Sequence, residues 1–223
     1  MCGRFTLALD LEGLRQSFPW LTLPERDLTP RYNIAPTQPV AVVANNHPDR
    51  LDFFVWGLIP SWAKDPTIGS RLINARAETL AEKPAFRNAY RRRRCLILAD
   101  GFYEWRKEVG TTRKTPMYIR MKSGEPFAFA GLWEAWNSPL GDLVLSCTII
   151  TTTPNELLAP IHDRMPAILP REAYDEWLDP NDRRPADLAP LLRPYPAREM
   201  EAYAVSMQVN NPAYDGPECI VPV

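Results

Sequence analysis

The stretch CLILADGFYEW, residues 95 to 105, places two strand-forming runs on either side of an Asp100-Gly101 turn. An apolar block without helical spacing, a turn pair and a second aromatic-rich block predict strands over Cys95–Ala99 and Phe102–Arg106. Working outward, similar runs predict strands over Gly3–Leu7, Val40–Ala44, Leu51–Trp56, Pro116–Met121, Phe127–Trp133 and Leu143–Thr151. Leu11, Leu14 and Phe18 recur at helical spacing behind Asp10, which predicts an amphipathic helix over Asp10–Phe18, followed by a proline-rich loop to about Arg31. Short helices are expected around Ala75–Glu82, Pro84–Tyr90, Pro154–Leu158, Arg171–Leu178 and Pro185–Leu192. Strands outnumber helices and regular βαβ alternation is missing. The expectation is therefore an α+β protein: a single compact domain, residues 2–223, with a mainly antiparallel, barrel-like β core and short flanking helices.

The composition supports a packed core, since 45% of the 223 residues are hydrophobic and 10% aromatic. Only 10 glycines stand against 24 prolines, as expected of strands separated by irregular loops. A net charge of -1 provides no global positive field, so a polyanion partner has to be held by a local basic patch. The N-terminus does not read as a secretory leader and no run approaches the ~20 apolar residues of a membrane span, so a cytoplasmic protein with no membrane partner is expected. Cys2, Cys95, Cys147 and Cys219 lie far apart, without a CxxC pair and away from His47 and His162, which argues against a metal site. Cys95 and Cys147 read as buried, reduced thiols, and Cys219 similarly.

The opening MCGRF carries the distinctive chemistry. Methionine is usually removed before a small second residue, which leaves Cys2 with an α-amine and a thiol on one carbon. Their unperturbed pKa values, about 7.7–8.0 and about 8.5, bring both nucleophiles within reach near neutrality. The amine can condense with an aldehyde to an imine, and the sulfur can close on the imine carbon to give a thiazolidine. Gly3 permits close backbone approach, and Arg4 follows as a neighbouring cation.

Three other segments embed polar residues in structured sequence. In LINARAET, Asn74 and Arg76 precede the expected helix and could bind phosphate; equally, Asn74 could cap that helix while Arg76 pairs with Glu78. Glu104, between Tyr103 and Trp105, is either a desolvated proton-transfer group or a solvent-facing strand residue. His162, with Asp163 and Arg164, sits in a turn between a short helix and an apolar strand, and Asp163 could orient it. Arg4, Arg31, Arg76, Arg164 and the run Arg91 to Arg94 are candidates for nucleic acid, together with Trp62; the scattered arginines weigh more than the run, which reads equally as a solvated element end.

Taken in order, MCGRF, RYNIAPTQ (31–38), WGLIPSW (56–62), NARAET (74–79), ADGFYEW (99–105) and IHDRMP (161–166) resemble the SRAP (SOS response-associated peptidase) family, and the C-terminal VNNP and VPV are also similar. The resemblance implies a compact β-rich SRAP domain that recognises abasic sites in single-stranded DNA and crosslinks to them through Cys2. It implies Asn74, Glu104 and His162 as the other catalytic residues. Arg4, Arg76 and Arg164 are implied as DNA-binding, with Pro36 and Trp62 along the DNA surface. Where the family often has two adjacent tryptophans, this chain has Ala63 after Trp62. Self-removal of Met1 and AP lyase activity are implied as well, with no cofactor, a monomeric state and association with the nucleoid when bound to DNA. Two other classes share some of these features: an N-terminal-nucleophile glutamine amidotransferase, which also begins Cys-Gly, and a non-covalent single-strand binder in which Cys2 is incidental.

Overall fold

The predicted strands are realised in a computed structural model that describes residues 2–25, 28–108 and 110–223; most are extended, while the one expected over Gly3–Leu7 shortens to Phe5–Leu7. Along the chain the elements are β1 (Phe5–Leu7), α1 (Leu11–Ser17), β2 (Arg31–Ile34), β3 (Pro39–Ala44), β4 (Leu51–Trp56), β5 (Asn74–Arg76), α2 (Arg87–Arg92), β6 (Arg94–Ala99) and β7 (Gly101–Lys107). Then come β8 (Lys114–Met121), β9 (Phe127–Asn137), β10 (Leu143–Thr152), β11 (Met165–Pro166), β12 (Ile168–Leu169), α3 (Tyr174–Trp177), α4 (Pro185–Leu188) and β13 (Met200–Ala204), with short 3-10 turns between them.

Five strands close a ring: β4 pairs β3, β3 pairs β6, β6 pairs β9 and β9 pairs β10, all antiparallel, and β10 returns to β4 in parallel. The expected mainly antiparallel barrel is present. Every residue of β6 is buried, because one face fills the barrel while α2 and α3 contact the strand outside. A strand covered on both faces reads as an unbroken apolar run, and CLILA does. At the β6–β9 crossing the strands run so close that a Cβ on Gly131 would lie 2.8 Å from the Cys95 sulfur.

The second sheet is open and wholly antiparallel, in the order β13-β8-β7-β1-β2. The Asp100-Gly101 turn is the corner between the sheets rather than the loop of a hairpin, since β6 pairs with β3 and β9 while β7 pairs with β1 and β8. Gly101 is required there: a Cβ would meet the Tyr118 hydroxyl at 2.1 Å. Asp100, half-buried at the corner, bonds the Thr6 hydroxyl and accepts from the Ala8 amide at 2.7 Å, fixing β1 to the corner. Phe5 then packs edge-on against Trp56 (5.1 Å) and Phe129 (5.6 Å) of the barrel. Burial of a phenylalanine contributes roughly 2–3 kcal/mol and each aromatic pair about 0.5–1.5 more, so the segment carrying Cys2 is held to the barrel.

Helix α1 matches its prediction, with Asp10 accepting from the Gly13 amide at 2.8 Å and Leu14 and Phe18 buried. Other short helices differ. The expected helix over Ala75–Glu82 is instead β5 followed by a 3-10 turn at Ala77–Thr79, because β10 provides Asn74, Ala75 and Arg76 with a parallel partner. Residues 154–158 form turns, α2 begins three residues later than expected, and the last two predicted helices are short α turns joined to 3-10 segments. Strands β2, β5 and β13 were not expected, and the apolar strand expected after His162 forms as the two short strands β11 and β12; each of these five is five residues or fewer, and short strands are specified by their partners more than by their own pattern. Cys95, Cys147 and Cys219 are buried free thiols, as expected. Among the described residues, no helix is long and apolar enough to cross a membrane.

Candidate functional site

Four side chains far apart in sequence converge where the open sheet meets the barrel. Cys2, three residues before β1, is buried, and its sulfur donates weakly to the Arg4 carbonyl at 3.8 Å. Asn74, placed by the β5–β10 pairing, donates its side-chain amide to the Cys2 carbonyl at 2.7 Å. Glu104 lies on β7 with 2% of its surface exposed, and its Oε2 is 3.9 Å from His162 Nε2. His162 is fixed by the Arg164 amide, which donates to Nδ1 at 3.1 Å, while a carboxylate oxygen of Asp163 lies 2.9 Å from the same nitrogen.

Burial sets the protonation states. It pushes the Glu104 carboxyl up to about 7, so this group exchanges a proton near neutrality. The alternative of a solvent-facing Glu104 is excluded by its burial. Burial lowers the His162 pKa, with Asp163 opposing in part, so the imidazole is neutral at pH 7. Burial, and then the charge of Glu104, raise the Cys2 thiol, which keeps the sulfur protonated.

The expected DNA-binding residues are disposed less uniformly. Arg4 donates one guanidinium nitrogen to Asn33 Oδ1 at 2.7 Å and to the Val209 carbonyl at 2.6 Å, and stands 6.0 Å over the Trp105 ring. Arg164 grips Glu78 through two bonds of 2.8 and 2.9 Å and also reaches the Thr151 carbonyl at 2.6 Å. Glu78 is thus taken by Arg164 rather than by Arg76; Arg76 is exposed at the end of β5, and no hydrogen bond among the described residues engages its side chain. Asn74 caps no helix: it opens β5, and Arg76, the last residue of that strand, is also the residue that precedes the 3-10 turn at Ala77–Thr79.

Pro36 occupies a turn in which Gln38 N–H bonds the Ala35 carbonyl at 3.3 Å and Thr37 adopts φ 71, a region costly for a β-branched residue. Trp62 is 59% exposed beside a hollow of about 440 Å³ lined also by Lys64, Asp65 and Arg71, while Ala63 packs under Trp136. The run Arg91 to Arg94 is structural: Arg91 and Arg92 share Asp182, Arg93 pairs with Glu134, and Arg94 is buried.

Residues near the site that the sequence did not mark include Thr151 and Asn33. Thr151 pairs with Arg76 across β10–β5, and its buried hydroxyl lacks a hydrogen-bond partner among the described residues. Asn33 gathers Arg4 and the backbone carbonyls of Val209, Asn211 and Tyr214, strapping the C-terminal segment over β2. A threonine in a strand and an asparagine in a short edge run carry no local signal for either role.

The sequence profile of the SOS response associated peptidase (SRAP) family matches residues 1–212. The chain belongs to the SRAP family. Among SRAP relatives, the abasic site processing protein YoqW of Bacillus subtilis (strain 168) is 51% identical over 222 residues, covering 99% of each chain. The abasic site processing protein HMCES of Rattus norvegicus is 33% identical over 270 residues, covering all of this SRAP chain and 76% of the relative. A crystal structure of a protein from Bacteroides thetaiotaomicron superimposes with a TM-score of 0.88 at 28% identity, over the full length of both chains.

Proposed function

We propose that this SRAP domain, acting as residues 2–223 after Met1 is removed, captures abasic sites in single-stranded DNA as a thiazolidine on Cys2. The observation that carries the reading is the convergence of the Asn74 amide on the Cys2 carbonyl at 2.7 Å with a proton-exchanging Glu104 beside His162. The names of the relatives, abasic site processing proteins, support the substrate class.

The ring-opened sugar presents an aldehyde. The freed amine of Cys2 adds to its carbonyl carbon, and the oxygen leaves as water as the imine forms. Glu104, half protonated near neutrality, supplies a proton to the departing oxygen and takes one from the nitrogen. The sulfur then bonds to the imine carbon while its proton passes to nitrogen. One water is lost overall, and the stable C–S bond removes the imine. An imine left open promotes β-elimination and strand cleavage, the AP lyase reaction, so the sulfur decides between protecting and cutting the strand. His162, neutral and held by the Arg164 amide, handles the proton of the sugar hydroxyl during opening. Asn74 fixes the backbone of Cys2 so that amine and sulfur attack from one position. Arg4, Arg76 and Arg164 neutralise phosphates, Arg164 by exchanging Glu78 for one, and Pro36 and Trp62 line the strand.

The same reading includes self-removal of Met1 and action as a monomer in the cytoplasm, on the nucleoid when DNA is bound. A glutamine amidotransferase presents an arginine-aspartate pair to its substrate's α-groups, whereas Arg4 here is bound by Asn33 and a backbone carbonyl. Mass spectrometry of the protein mixed with an abasic single strand tests the reading: the expected result is a chain without Met1 bearing the oligonucleotide on Cys2. Replacing Cys2→Ala abolishes the heat-stable adduct and leaves lyase activity from the free amine. Retention of Met1 on the crosslinking protein, or a heat-stable adduct with Cys2→Ala, overturns it.

A further inference from the structure

The hairpin of β7 and β8 runs past Glu104 toward a basic tip. Its register sets Lys107 directly opposite Lys114 and Arg106 opposite Thr115, with Arg113 next in line. Lys107, Arg113 and Lys114 are exposed, and no hydrogen bond or ion pair among the described residues engages their side chains. The local acid, Glu108, is already committed, accepting from the Thr115 hydroxyl at 2.6 Å and lying 3.5 Å from Arg106. Like charges directly opposite on a sheet destabilise it, and here no carboxylate of the hairpin balances the lysine pair. The tip is nevertheless built: the Glu108 amide bonds the Arg113 carbonyl at 3.1 Å, and the Arg113 amide bonds the Thr111 hydroxyl at 3.1 Å.

Two observations connect this arm to the site. Alternation along β7 puts Lys107 on the face that carries Trp105 and opposite the one that carries Glu104, and the link to the site runs through Arg4, whose guanidinium lies 6.0 Å from the Trp105 ring. Arg4, Trp105 and the Lys107–Lys114 pair thus make an aromatic and basic track leading away from Cys2, the composition that holds single strands. In addition, His162, whose pKa is lowered first by burial, feels the positive charge of Lys114 as a smaller contribution, which brings this end of the hairpin within electrostatic reach of the catalytic group.

We propose that the β7–β8 arm, through Lys107, Arg113 and Lys114, binds the phosphates of the single strand flanking the abasic nucleotide. The proposal rests on the crosslinking reading for its ligand. The lysine pair is a repulsive arrangement that a phosphodiester relieves, and it adds local positive charge to a protein whose net charge of -1 provides no global positive field.

The test uses the full chain carrying Lys107→Gln and Lys114→Gln together, with a fluorescein-labelled, lesion-free single strand for affinity and an abasic strand for crosslinking. Two fewer phosphate contacts lower the slope of log affinity against log salt by about 1.4 and weaken binding on the order of tenfold at 0.1 M salt. At saturating abasic strand the adduct yield stays at the wild-type level. Arg184→Gln, an exposed arginine paired with Asp187 at the start of α4, keeps wild-type affinity. A double variant that matches wild type in affinity and slope overturns the proposal, as does an equal loss with Arg184→Gln. Should wild type form no adduct while the double variant still loses affinity, the crosslinking chemistry fails and the arm stands.

Discussion

Arg94 and Glu104 are both buried charges, ten residues apart on consecutive strands, and the fold treats them in opposite ways. Arg94 opens β6 on the closed barrel and donates to the carbonyls of Tyr90, Arg91, Trp177, Asp179 and Asn181, with separations of 2.9 Å to Trp177 and 3.2 Å to Tyr90 and Asn181. Its charge is spread over backbone acceptors, of which the Arg91 and Asp179 carbonyls also accept from the Arg183 amide and the Asn45 side chain, and it ties α2 and the segment after α3 to the barrel. Glu104 sits on the open sheet, where burial raises its pKa to about 7 and its carboxylate lies 3.9 Å from the His162 imidazole. A buried charge saturated by carbonyls is structural; a buried charge left able to exchange a proton is chemical.

The largest expected effect that tests this contrast is at Glu104. Glu104→Gln reduces the rate of adduct formation by about 10²–10⁴-fold, the usual contribution of a general acid-base group, measured by single-turnover crosslinking at pH 7. Its effect on stability has the opposite sign. The folded pKa of about 7 lies above the ordinary 4.5, so the contribution of Glu104 to stability is complete below about 4.5 and is lost as the pH rises through about 7. Glu104→Gln is therefore more stable than wild type at pH 8 by about 3 kcal/mol, and the difference closes at pH 4, as chemical denaturation at the two pH values shows. A variant less stable than wild type at pH 8 would place Glu104 with Arg94 as a structural charge and break the comparison.

Next comes Arg94→Met, which leaves the five carbonyls without their shared donor. The expected loss is about 3–5 kcal/mol in urea denaturation, while the crosslinking rate of the folded fraction stays at the wild-type value. A full-strength fold with slow crosslinking would contradict the assignment. The smallest effect is at Arg91→Ala with Arg92→Ala, whose side chains are half or more exposed and share Asp182. This pair is worth under about 1 kcal/mol, and its removal leaves single-strand affinity unchanged, in contrast to the lysines of the β7–β8 arm.

Much of the site was legible because its chemistry is written in residue type. An aminothiol at Cys2, a carboxylate between aromatics at Glu104 and a histidine anchored beside a proline at His162 each announce themselves locally, and the structure brings all three together with Asn74. The helix expected over Ala75–Glu82 gave way to a strand and a 3-10 turn because Asn74, Ala75 and Arg76 have a weak preference of their own, and β10 supplied the pairing that decided it. Arg164, named in IHDRMP as a candidate for nucleic acid, is held by Glu78, 86 residues earlier in the chain, a partner no local pattern shows.

The sequence by itself determined the strand-rich class, the pair of strands around Asp100-Gly101 and the capped first helix, and it marked the candidate residues of the site, because periodicity, turn chemistry and functional groups are carried by neighbouring residues. Only the tertiary structure decided that the Asp100-Gly101 corner divides a closed barrel from an open sheet, that Arg94 is satisfied by carbonyls, and that Glu104 is desolvated beside His162. Desolvation and ion pairing depend on what the rest of the chain packs against a residue, and that is fixed only when distant strands meet.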